Sequence, residues 1–159
     1  MLIAAAVCPH PPLLIPAAIG AAAGDRPPEL SAVGDACQVA VHALATAEPN
    51  LIAVVGGGPA DLETVLAMGD ASARRARGTG DPDPQAQAYD DEVAGAFAAA
   101  DDRWLGRLDP ELDDELMVAG RAAWQVLAGA ADGTRLQGRL LCQANPYGVS
   151  YLVASWAEP

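Results

Sequence analysis

A run of small apolar residues, Leu2 to Val7, is cut off by Pro9, Pro11, Pro12 and Pro16, and this junction constrains the chain more than any other feature. A short, continuous apolar stretch bounded by breakers reads as a strand buried on both faces. The residue before each proline is pushed toward extended geometry. Cys8 to Pro16 is therefore expected to leave the strand's C-terminal end as a rigid, non-helical loop. The apolar run has no basic residues ahead of it and is too short to cross a bilayer, so neither a signal segment nor a membrane span is expected.

Downstream, Leu30, Val33, Cys37, Val41 and Leu44 recur near the 3.6-residue period, with Pro27 and Pro28 as start signals and Pro49 as a stop. The spacing predicts an amphipathic helix over 29–47. Asn50 to Gly56 then reads as a second buried strand, so strand, helix and strand imply a right-handed crossover. Residues 60–69 are ambiguous. A third parallel strand needs a crossover of roughly a dozen residues, and only Gly56 to Thr64 lies between, so this piece is expected to be a short helix or an antiparallel strand.

Ala71 to Pro84 carries Arg74, Arg75 and Arg77 among Gly and Asp and reads as an exposed, mobile loop. Helical patterns follow over 85–100, from Asp109-Pro110 to about Gly120, and over 121–131, proline at the first helical position being well tolerated. Leu140 to Cys142 and Val149 to Ser155, split by Ala144-Asn-Pro-Tyr-Gly148, read as a hairpin. Alternation sets Tyr151 and Val153 on one face and Leu152, Ala154 and Trp156 on the other. The expected fold is one α/β domain over 1–159, with a mostly parallel central sheet flanked by helices and a C-terminal β-hairpin.

Composition narrows the function. Nine basic residues oppose twenty-one acidic ones, for a net charge of -12, and every basic residue is Arg. Nucleic-acid binding is disfavoured. Without lysine there is no Schiff base and no P-loop lysine. Three cysteines at wide spacing argue against a disulfide framework or zinc ribbon and fit a reducing cytoplasm. The hydrophobic share is mostly Ala, with only three Trp, three Tyr and one Phe, so the core is expected to be aliphatic and thin.

Candidate chemistry centres on His10, at the C-terminal end of a strand, where open α/β sheets place ligands. Asp70, Ser72 and Arg74 cluster after a later apolar run and are expected to face His10 across a cleft. His42 reads as a solvated helical histidine and Cys8 as a buried, inert thiol. Gly56 to Pro59 is a tight turn whose amides would offer a weak anion cradle. The acidic stretch Asp101 to Glu115 lacks calcium-loop spacing and reads as a solvated helix surface.

AAAVCPHPPLLIP, LIAVVGGGP, MGDASARR, AGRAAWQVLAGAA and ANPYGVSYLVASW occur in this order. Together they resemble the class III extradiol ring-cleavage dioxygenase superfamily, in the branch of small proteins that are similar to its catalytic chain. The resemblance implies non-haem Fe(II) held by two histidines and a glutamate, with a further histidine as acid/base. His10 matches the first ligand. Where the second histidine is expected the chain has Gly56, Gly57, Gly58 and Pro59, and in the G-x-x-S-H pattern Gly69, Asp70 and Ser72 match but Ala73 replaces the histidine. Oxygen chemistry needs three protein ligands with open positions, and a general acid/base typically contributes about 10²- to 10⁴-fold.

The expectation is thus a dioxygenase-like protein with a degenerate metal centre that keeps its cleft for a small aromatic ligand or a partner. Two rivals are a metal enzyme recruiting Cys8, Asp70 or Glu63 around His10, and an interaction protein, self-associating or bound to a partner chain. The last would be marked by an exposed patch of Tyr147, Tyr151 and Trp156.

Overall fold

The computed structural model describes residues 1–10, 28–47, 53–54, 64–75 and 83–159, with 53–54 as backbone only. The elements in chain order are β1 (Ala4–Cys8), α1 (Pro28–Ala47), β2 (Ala53–Val54), β3 (Thr64–Met68), α2 (Pro84–Ala99), α3 (Asp102–Leu105), α4 (Pro110–Glu115), α5 (Arg121–Ala131), β4 (Gln137–Ala144) and β5 (Tyr151–Ala157). A 3₁₀ turn, Pro146–Gly148, joins the last two strands.

The strands form one sheet in the order β2-β3-β1-β5-β4. β2 with β3 and β3 with β1 run parallel, while β1 with β5 and β5 with β4 run antiparallel. The sheet is therefore mixed rather than mostly parallel, because the C-terminal hairpin docks directly on β1 and supplies half of the pairings. β1 is central and buried along its whole length, as a two-sided apolar strand should be.

Residues 64–68 are a parallel strand, which corrects both alternatives expected for 60–69. Its described pairs with β2 are Ala53↔Val65 and Val54↔Leu66. The remainder of the expected strand 50–56, the glycine turn Gly56 to Pro59, Glu63 and the loop beyond His10 lie outside the described residues.

The sheet carries a different core on each face. On one, Ala4, Ala6, Cys8, Tyr151 and Val153 pack against Leu30, Val33, Ala40 and Leu44 of α1. The alanines let the helix approach closely. On the other, Ala5, Val7, Val65, Leu152 and Trp156 meet Tyr89, Val93, Phe97, Leu105, Trp124 and Leu127. This core is mostly aliphatic, as expected, with four aromatic side chains, Tyr89, Phe97, Trp124 and Trp156, set into it. Phe97 meets Trp124 edge-on, centroids 5.3 Å apart, and Trp156 Nε1–H donates to the Phe97 carbonyl at 2.8 Å. That bond satisfies the indole and closes α2 onto the sheet.

Helix starts follow local rules. Asp83, Asp101 and Asp109 cap α2, α3 and α4, each accepting an amide N–H at 2.9 Å, with Pro84 and Pro110 in the first turn. The acidic stretch is thus only partly a solvated surface: two of its carboxylates are caps, and Asp113 is buried, with Arg121 Nε 3.2 Å from its Oδ2. α4 ends at Glu115, short of the expected Gly120, because the amides of Ala119 and Gly120 turn away to the Asp70 carbonyl at 3.1 and 2.9 Å.

Two backbones touch where the end of β3 meets the start of α5. A Cβ on Gly69 would lie 2.2 Å from Gly120 Cα, whereas one on Gly95 would meet nothing within 4 Å. Gly69→Ala is expected to destabilise by about 1–3 kcal/mol or more, and Gly95→Ala, on the exposed face of α2, to stabilise by about 0.5–1 kcal/mol. Opposite shifts of the urea midpoint check both.

Candidate functional site

Register brings the site together. Cys8 pairs with Met68 at the end of the β1–β3 ladder, and the Gly69 N–H donates to the Cys8 carbonyl at 2.9 Å. His10 and Asp70, each two residues past that last pair, therefore emerge side by side from the C-terminal ends of adjacent parallel strands. This is the edge where such sheets bind ligands.

Asp70 grips His10 twice. The His10 backbone N–H donates to Oδ1 at 2.9 Å, and Nδ1 lies 3.1 Å from Oδ2. A carboxylate only accepts, so Nδ1 carries the proton, and in the neutral ring Nε2 is left with its lone pair. The imidazole is 44% exposed and the carboxylate 20%. The pair is a fixed, solvent-facing acceptor whose orientation is set by backbone and side chain at once.

The segment carrying Asp70 is held from every side. Besides accepting from α5, it donates from Ala71 N–H to the Ser150 carbonyl at 2.9 Å and from Ala73 N–H to the Leu116 carbonyl at 3.0 Å, while Ser150 N–H donates to the Ser72 carbonyl at 2.8 Å. Ser72 is fully buried. Its N–H and Oγ–H donate to the two oxygens of Asp90 at 2.9 and 2.8 Å, and Arg75 Nε is 3.6 Å from Asp90 Oδ2. Residues 71–75 are thus a pinned connection rather than the expected exposed, mobile loop; 76–82 lie outside the described residues.

Of the four expected cleft residues, the structure joins His10 and Asp70. Ser72 turns inward to Asp90, because a buried carboxylate on α2 captures both its donors. Arg74 is exposed to solvent. His42 is exposed on α1, as expected for a solvated helical histidine.

Two tyrosines belong to this end of the sheet and were not read as site residues from the sequence. β5 runs antiparallel to β1 and pairs Val7↔Ala154, so its first residue, Tyr151, lies at the end of the sheet where β1 and β3 finish. Burial, reinforced by the Asp70 charge and by Tyr147, pushes the Tyr151 phenol up to about 12, so it stays protonated. Tyr147 is 58% exposed and takes a left-handed backbone, φ 59°, an uncommon conformation for a bulky residue. Strand alternation marked Tyr151, but its position at this end of the sheet depends on strand order. Tyr151 and Trp156 are 2% and 1% exposed, so the expected surface patch with Tyr147 does not form.

The donors do not fit the iron centre that the resemblance implies. Among the described residues no three His, Cys, Asp or Glu side chains converge to hold a metal. Both Asp70 oxygens are engaged by His10, and Cys8 is buried beneath α1. No helix among the described residues is long and apolar enough to cross a membrane. No protein-family model matches the sequence, and a search of curated proteins finds no relative.

Burial raises the carboxyls of Asp90 and Asp113 above the ordinary aspartate value of 3.8, against the opposing hydrogen bonds of Ser72 to Asp90 and the positive charge of Arg121 beside Asp113. A group raised in the folded state binds more protons there than when unfolded, so it lowers stability as pH climbs from about 4 through its folded value. Urea midpoints across this window should fall with rising pH, and less steeply in Asp90→Asn. For the dyad, ring ¹⁵N spectra of the neutral imidazole should show Nε2 unprotonated, and the tautomer redistributed in Asp70→Asn.

Proposed function

We propose that this chain is a class III extradiol dioxygenase-like protein, similar to the catalytic chain of that superfamily but with a degenerate metal centre, that binds a small aromatic ligand beyond the ends of β1 and β3. The observation that carries this reading is the His10–Asp70 dyad, in which the one imidazole matching a family ligand is already held by a carboxylate. A ligand hydroxyl donates to Nε2, and the exposed Tyr147, at the same end of the sheet, offers a planar apolar surface. The dyad accepts and returns a proton at Nε2 while Asp70 steadies the imidazolium.

The sequence resemblance supports the family assignment. The three free thiols support a reducing, cytoplasmic location. A metal enzyme built on Cys8, Asp70 or Glu63 is less well supported, since Asp70 and Cys8 already face other partners and Glu63 lies outside the described residues. Ring cleavage is not expected, because His10 lacks companion ligands among the described residues.

Calorimetry with catechol and its mono-hydroxylated analogues, under anaerobic conditions with and without Fe(II), tests the proposal. Binding should be independent of iron and weaken about tenfold in His10→Ala, or ~1.4 kcal/mol. One tight iron per chain together with ring-opened product would overturn it.

A further inference from the structure

The turn before β5 holds a residue that its own backbone disfavours. Tyr147 has φ 59° and ψ 19°, Gly148 has φ 78°, and Val149 N–H donates to the Pro146 carbonyl at 3.3 Å. Two successive left-handed residues closed by such a bond follow the type I′ pattern, in which asparagine or glycine fits the first position and glycine the second. Glycine stands in the second place, but a tyrosine occupies the first, where its Cβ crowds the backbone. Burial of the ring does not offset this: Pro146 and Gly148 are buried, while Tyr147 between them is 58% exposed. The turn is also tied to the segment that carries the dyad. Ala71 N–H donates to the Ser150 carbonyl at 2.9 Å and Ser150 N–H to the Ser72 carbonyl at 2.8 Å, which joins the chain three residues after Tyr147 to the chain immediately after Asp70.

We infer that Tyr147 is the specificity-determining residue of the site: its ring, held out to solvent by a strained turn, stacks on the flat face of the ligand whose hydroxyl binds His10, so that the site selects planar aromatic hydroxyl compounds over saturated ones of the same size. This inference rests on the ligand reading above. Left-handed strain in a bulky residue persists where the surrounding structure over-determines it, and it gathers at ligand sites. Here the pinned bonds of Ser150 and the buried Pro146 and Gly148 supply that surrounding structure. Offset stacking of two rings adds to affinity beyond the area it buries, and a turn already fixed at both ends loses little freedom when the ligand arrives.

Calorimetric affinities for catechol and for cyclohexane-1,2-diol, which keeps both hydroxyls but lacks the flat ring, are compared in wild type, Tyr147→Gly, Tyr147→Phe and His10→Ala, alongside urea midpoints. Wild type should prefer catechol, and that preference should shrink about tenfold in Tyr147→Gly and persist in Tyr147→Phe. Tyr147→Gly should at the same time raise the urea midpoint, because it relieves the backbone; a general loss of structure would lower affinity and midpoint together. A catechol preference unchanged in Tyr147→Gly, with binding still weakened in His10→Ala, overturns this inference and leaves the ligand reading standing. A urea midpoint lowered in Tyr147→Gly also overturns it, since the strain would then be absent. No binding of catechol by wild type overturns both the inference and the reading beneath it.

Discussion

The parallel ladder between β1 and β3 is the constraint on which the rest depends. Five consecutive pairs, from Ala4↔Thr64 to Cys8↔Met68, fix the two strand ends level with one another, and the Gly69 N–H to Cys8 carbonyl bond extends the ladder one step further. A slip of one residue would turn every side chain of β1 to the opposite face, exchanging Ala5 and Val7 with Ala4, Ala6 and Cys8. It would also separate His10 from Asp70. Fold and site are specified by the same register.

Around this ladder, buried polar groups hold the connections in place. Asp90 receives both donors of Ser72, and Asp113 pairs with Arg121. Buried carboxylates carry a desolvation cost that partners offset only in part, so their value is more in fixing one arrangement than in adding stability. What they fix is the segment 69–75 and the α4–α5 turn, which together present Asp70. The dyad can be half exposed and still rigid, because the rigidity comes from the backbone behind it.

Much of this was legible from residue order. The apolar run before the prolines identified β1, the period of Leu30, Val33 and Leu44 identified α1, and alternation sorted Tyr151 and Val153 from Leu152, Ala154 and Trp156 onto the two faces where they pack. His10 and Asp70 could be singled out because each follows an apolar strand. Ser72 and Arg74 could not be sorted from Asp70 in the same way. Which of these neighbours faces the cleft is decided by Asp90, eighteen positions away and on another layer. The direction of residues 64–68 was equally out of reach, since it is set by pairing with β1, sixty positions away, and not by local pattern.

The sequence by itself determined where β1, α1, α2, α5 and the C-terminal hairpin lie, which side chains are apolar partners within each, and that one imidazole stands at a strand end, because these follow from local periodicity, proline geometry and residue type. Only the tertiary structure decided the pairing order β2-β3-β1-β5-β4 and the contacts it creates: His10 with Asp70, Ser72 with Asp90, Phe97 with both tryptophans. Each joins residues far apart in the chain, and such contacts form where packing two different cores on one sheet leaves a single register that buries both.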